Sequence, residues 1–142
     1  MVKDYQTTTI TGGGLPMLIN TDQEGGTVFR LGTGTPLPGN MGLGATFNPQ
    51  LGIKYGEVLG SEVTSLGINT TLAPVMDVNN NANNPVINTR SYGDDPEMVG
   101  AFGNNVIDGM SHFGAIGCAK HFPGHGDTAT DSHTGLPRVE LT

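Results

Sequence analysis

The chain has 142 residues, enough for one domain with a core and too few for two. Thirteen Asp and Glu against six Lys and Arg give a formal charge of −7, which argues against a nucleic-acid partner. No apolar run approaches the roughly 20 residues of a membrane span, so no membrane partner is expected, and the single Cys118 excludes an internal disulfide framework.

Residues 1–14 read as a polar, Thr/Gly-rich tail without the apolar stretch of a signal peptide, which leaves the compartment open. Pro16 to Asp22 reads as a short buried strand ending in the polar cluster Asp22-Gln23-Glu24. Gly25 and Gly26 follow, and their lack of side chains would let the backbone approach a ligand closely; Arg30 adds a guanidinium to the same turn. Asn48-Pro49 is a cap followed by proline at the first helical position, and Leu51, Tyr55, Val58, Leu59, Val63 and Leu66 then recur at helical spacing up to Gly67.

Ile68 to Pro74 is a second strand, with Asp77 beyond its carboxyl end. An Asn-rich loop leads to Arg90, which among turn-forming neighbours is expected to pair locally. Asp95-Pro96 opens a second helix with the stripe Val99, Phe102, Val106, Met110 and Phe113, closed by Gly114. Ala115 to Lys120 is a third strand, on which Cys118 is expected to be a buried, inert thiol. Apolar strands separated by amphipathic helices imply an α/β fold with a parallel sheet, and the reactive clusters all fall just after strands.

The last cluster is the densest. His121, His125, Asp127, Asp131 and His133 lie on one Gly/Pro-punctuated loop after Lys120. Three readings stay open from the residues alone: a divalent metal site without helical HExxH spacing, an acid/base histidine held by a carboxylate, or a structural loop. Asp131 and His133 are two apart, so in an extended segment they share a face. The phosphate-binding loops GxGxxG and GxxxxGK[ST] are absent.

Four motifs stand in register: Asp22-Gln23-Glu24-Gly25-Gly26 with Arg30, Ala73-Pro74-Val75 with Asp77, Asn88 to Pro96 around Arg90, and Lys120 to Thr128 followed by Asp131-Ser132-His133. Together they resemble the family 3 glycoside hydrolases, in their β-N-acetylglucosaminidase branch, over Leu15 to the C-terminus. The resemblance implies a partial (β/α)8 TIM-type barrel over residues 15–142, with about three βα units; a complete barrel takes about 250 residues. It implies removal of terminal β-linked N-acetylglucosamine, from muropeptides or chitooligosaccharides, with retention and without metal or organic cofactor.

By the same resemblance, His133 is the general acid/base oriented by Asp131, while Asp22, Arg30, Arg90, Lys120 and His121 hold the sugar. The family's aspartate nucleophile matches no residue of this chain. A chain of this extent is therefore expected to be weak or inactive alone, and its open sheet edges are expected to favour self-association. The alternative is a non-catalytic half-barrel that binds sugar.

Overall fold

The computed structural model describes residues 1–139; the last three residues of the expected 15–142 barrel segment lie outside it. The order of elements is α1 (Val2–Thr11), β1 (Asn20–Thr21), α2 (Asn40–Gly44), α3 (Leu51–Ser65), β2 (Thr70–Thr71), a 3-10 turn (Asn88–Arg90), α4 (Pro96–Ser111) and β3 (Ile116–Gly117). The three strands form one parallel sheet in the order β1-β2-β3.

The strands occupy the expected stretches but pair over less of them. Asn20 and Thr21 lie beside Thr70 and Thr71, which in turn lie beside Ile116 and Gly117. The β2–β3 ladder is then interrupted and resumes at a Val75–Lys120 bridge. Pro74 is the physical reason, since it has no N–H to donate. Its carbonyl still accepts from Lys120 N at 3.1 Å, and Cys118 N is shared between Thr71 O and Ala73 O.

The segment expected as a polar tail contains a helix, α1, which buries none of its residues. The Gln6 amide ties it to the chain entering β1, donating to Met17 O at 2.8 Å and accepting from Met17 N at 2.9 Å.

The core lies between α3, α4 and the sheet. Tyr55, Leu59 and Val63 pack with Val99, Phe102, Val106 and Met110, and with Ile68 and Ala115 at the strand ends. Each such side chain taken fully from water contributes roughly 1.5–3 kcal/mol. The two helices touch backbone to backbone: a Cβ on Gly56 would overlap the Val106 carbonyl, and one on Gly109 the Ile53 carbonyl. Glycine at these contact points lets α3 and α4 approach this closely.

Asp95 caps α4 as its sequence indicates, its carboxylate accepting from Glu97 N at 2.9 Å with Pro96 in the first turn. Helix α3 begins later than the Asn48-Pro49 pair suggests. The Asn48 side chain instead accepts from Gln50 N at 3.3 Å in the turn ahead of Leu51. Cys118 is exposed, contrary to expectation. Side chains alternate along a strand. Gly117 turns toward Met110 and Ile107 of α4, which sends Ile116 and Cys118 to the other, open face of the edge strand.

Candidate active site

The carboxyl ends of all three strands meet at one polar centre. After β1 the chain turns tightly over Glu24–Val28, and the buried Thr71 of β2 pins that turn: its hydroxyl donates to Gln23 O at 3.1 Å and accepts from Gln23 N at 3.3 Å. Tyr55 of α3 donates to Glu24 O at 2.9 Å. Glycines 25 and 26 do approach something closely, but what they approach is protein. A Cβ on Gly25 would overlap the Tyr55 hydroxyl, and one on Gly26 would lie 2.8 Å from Gly39 Cα.

Glu24, with a side chain only 2% exposed, is the hub of this centre. Arg90 grips it with two bonds, Nε to Oε2 at 2.9 Å and Nη2 to Oε1 at 2.8 Å. Lys120 Nζ lies 2.5 Å from Glu24 Oε1 and 2.7 Å from Asp22 Oδ1. Locally the Arg90 guanidinium only donates from Nη1 to Val86 O at 3.3 Å; the partner of its charge is Glu24, 66 residues away. Asn40 of α2 fixes the arginine's backbone by donating to Arg90 O at 2.7 Å.

A second anchor is Asp77, whose side chain is fully buried. One oxygen faces His121 Nδ1 at 2.5 Å, and the other accepts from His125 N at 2.6 Å. His121 Nε2 lies 3.3 Å from Arg90 Nη2. A guanidinium can only donate and a carboxylate can only accept, so this geometry assigns His121 the neutral tautomer with its proton on Nδ1.

The charges are set by these contacts. Burial pushes Glu24 up, but hydrogen bonds from Arg90 and Lys120 outweigh it and hold the carboxyl below its ordinary range. Asp77 follows the same pattern, with burial opposed by His121 and by the His125 amide. The hydrogen bond from Lys120 lowers Asp22, and the Glu24 carboxylate raises Arg90.

Asp131 and His133 form a separate, open pair. The segment is a turn rather than the extended strand their spacing suggests. Asp131 Oδ1 accepts both the His133 backbone N–H at 2.9 Å and ring Nδ1 at 2.7 Å. These two bonds, the backbone one first, hold Asp131 below its ordinary range. The contact places the proton of neutral His133 on Nδ1, and the ring is 79% exposed.

Asp22, Glu24, Arg30, Arg90, Lys120, His121, His125 and His133 all line one cleft of about 290 Å³. The seven residues singled out from the sequence thus converge, Asp131 through its bonds to His133. A larger hollow of about 360 Å³ lies on the other side of Glu24 and Arg90, but it reaches neither His121 nor His133. Glu24 and Asp77 were visible in the sequence as acidic residues just after strands, but only the structure reveals them as the anchors. Among the described residues no group of three or more His, Cys, Asp or Glu is placed to hold a metal ion, and no helix is long and apolar enough to cross a membrane.

The glycosyl hydrolase family 3 N-terminal domain matches residues 1–142. The chain belongs to glycosyl hydrolase family 3. Among family 3 structures, a β-N-acetylglucosaminidase from Paenibacillus sp. superposes with a TM-score of 0.92 at 45% identity, over 97% of this chain and 26% of that one. The chain is 48% identical to β-hexosaminidase A of Pseudoalteromonas piscicida over 131 residues, covering 89% of this chain and 22% of that protein. It is 42% identical to a β-hexosaminidase of Thiobacillus denitrificans over 129 residues, covering 86% of this chain and 36% of that protein. The chain therefore spans well under half the length of these relatives, and its three parallel strands and their helices form part of the family 3 α/β barrel.

Proposed function

We propose that this chain supplies the sugar-gripping and proton-transferring part of a retaining β-N-acetylhexosaminidase, which removes terminal β-linked N-acetylglucosamine from cell-wall muropeptides or chitooligosaccharides. The observation that carries the reading is the single cleft shared by the Lys120–Glu24–Arg90 network, His121 and the Asp131-oriented His133. Charge-assisted donors fixed by buried carboxylates are suited to orient a neutral polyol and an N-acetyl group. Asp22 is 43% exposed and gives one oxygen to Lys120, so carboxylate surface is left for a sugar hydroxyl.

With Nδ1 committed to Asp131, Nε2 of His133 is the position that exchanges a proton with the substrate. In the cationic form it protonates the glycosidic oxygen as the leaving group departs. Asp131 stabilises that imidazolium before transfer. In the second step the neutral ring takes a proton from the water that attacks the glycosyl-enzyme. A second carboxylate plays this part in most glycosidases.

No residue of this chain matches the family's nucleophile, and loss of a covalent nucleophile forfeits several orders of magnitude in rate. Incubation of the purified chain with an aryl β-N-acetylglucosaminide tests this division of labour. The expected result is turnover at or near the uncatalysed rate. Robust, stoichiometric turnover by the 142 residues alone overturns it.

A second reading, a sugar-binding half-barrel that self-associates, is favoured by a specific feature. Leu15, Leu18, Ile116 and Phe122 expose apolar surface around the two outer strands of the parallel sheet. Light scattering on the eluting chain distinguishes the two, because a stable monomer at all concentrations removes the second.

A further inference from the structure

We propose that Asn84 is a positioning residue that clamps the Arg90 turn to the His121–His133 loop. Its side-chain oxygen accepts from Val86 N at 2.9 Å and from Ile87 N at 2.7 Å, at the entrance to the turn carrying Arg90. Its side-chain nitrogen donates to His125 O at 2.6 Å and to Gly126 O at 3.2 Å, in the middle of the histidine loop. One amide thus joins its own turn to a loop 41 and 42 residues further on, and Asn84 is only 3% exposed.

The surroundings make this arrangement specific to an amide. Only a group with both donors and an acceptor satisfies two N–H groups on one side and two carbonyls on the other. Gly126 closes against the Val78 carbonyl, where any Cβ would overlap, so the loop lies directly on the Asn-rich segment. Thr128 completes the contact, its hydroxyl donating to His125 O at 2.9 Å and meeting the His125 ring. Asn81, which is less buried, adds a weaker tie to Asp127 O at 3.1 Å.

The clamp rests on this geometry alone, whereas its bearing on catalysis rests on the function proposed above. With the clamp intact, His125 N stays on Asp77 and His121 stays between Asp77 and Arg90. The loop leading on to Asp131 and His133 is then held against the sugar-binding network.

Asn84→Asp separates the two halves of the clamp. The carboxylate keeps its acceptor side toward Val86 and Ile87 but turns a charge on two carbonyls. Protonation restores one donor, and burial beside those carbonyls raises the pH at which that happens above the ordinary aspartate range. Amide exchange in the 142-residue chain, corrected for intrinsic rates, reads the effect.

At neutral pH the variant is expected to lose about tenfold or more protection at His125 and Thr128 while Arg90 and Ser91 keep theirs. Protection is expected to return on mild acidification. Equal loss in both segments at every pH, or no loss, overturns the clamp.

Should the variant not fold, the unaltered chain still decides. A slowly exchanging Asn84 side-chain amide coupled to the His125 and Gly126 carbonyls supports the clamp, and a freely exchanging one overturns it. N-acetylglucosamine titrated against both proteins separates the two claims. Failure of the unaltered chain to bind strikes the proposed function only. Equal binding by both proteins removes the positioning role. Weaker binding by the variant, recovering with the same pH dependence as loop protection, supports it.

Discussion

His121 and Asp77 face one another at 2.5 Å, and the other oxygen of the same fully buried carboxylate holds the backbone of His125. One side chain therefore sets both the tautomer of a cleft histidine and the path of the loop that follows it. Asp77→Asn removes one acceptor and turns an N–H toward a group that already donates. The expected cost is about 1–3 kcal/mol of stability, read by urea denaturation. N-acetylglucosamine is expected to bind about tenfold more weakly, or worse, by calorimetry. An Asp77→Asn variant as stable as the parent contradicts this role.

Arg90 and Arg30 line the same cleft but differ in what depends on them. Arg90 neutralises the buried Glu24 with two bonds, whereas Arg30 is exposed; Gln23 Oε1 holds its backbone N–H at 2.8 Å, and among the described residues nothing hydrogen-bonds its guanidinium. Arg90→Ala leaves Glu24 with Lys120 alone and is expected to destabilise by about 3 kcal/mol. Arg30→Ala is expected to stay within about 0.5 kcal/mol while weakening sugar binding. Paired denaturation and binding curves check both halves of the contrast.

Glu24 and Asp77 are held below their ordinary values of 4.5 and 3.8, with burial opposing and hydrogen bonds prevailing. A carboxylate depressed in the folded state contributes its stability in full above the unfolded value. That contribution is lost as pH falls through the folded value. The urea midpoint is therefore expected to hold near neutrality and to fall below pH 4.5. Glu24→Gln should flatten that acid limb, and a parent midpoint unchanged down to about pH 3 contradicts the assignment.

The Asp131–His133 pair is open to solvent and carries little of the fold. His133→Ala and Asp131→Asn are expected to leave the urea midpoint where it stands in the parent. Nitrogen-15 chemical shifts of the His133 ring should show a protonated Nδ1 in the neutral parent. Asp131→Asn is expected to shift population to the Nε2–H form. An unchanged tautomer ratio removes Asp131 as the orienting group.

The two long helices, α3 and α4, were the most legible part of the fold, because Tyr55, Leu59 and Val63 and the stripe from Val99 to Met110 repeat at helical spacing. The role of Gly52, Gly56 and Gly60 was not legible: small residues at that spacing reveal a close helix contact only once the partner helix is known. Strand positions could be read, but their short pairing could not, since it depends on Pro74 meeting a neighbouring strand. The helix in residues 2–11 was hidden by threonines, whose β-branched side chains lose rotamer freedom in a helix and so lower its propensity. At the site, the acidic clusters after strands pointed to the right places. The pairing of Arg90 with Glu24, and of Lys120 with Asp22 across 98 residues, lay beyond any local pattern.

On the proposed function, this cleft holds an N-acetylhexosamine between the Lys120–Glu24–Arg90 network and His133. Titration of N-acetylglucosamine into the isotope-labelled chain, followed by NMR, tests it most directly. Saturable binding on the order of millimolar Kd is expected, with shifts concentrated at Asp22, Arg30, Arg90, Lys120, His121 and His133 and lost in Lys120→Ala. Absence of binding, or shifts confined to residues outside this cleft, would contradict it.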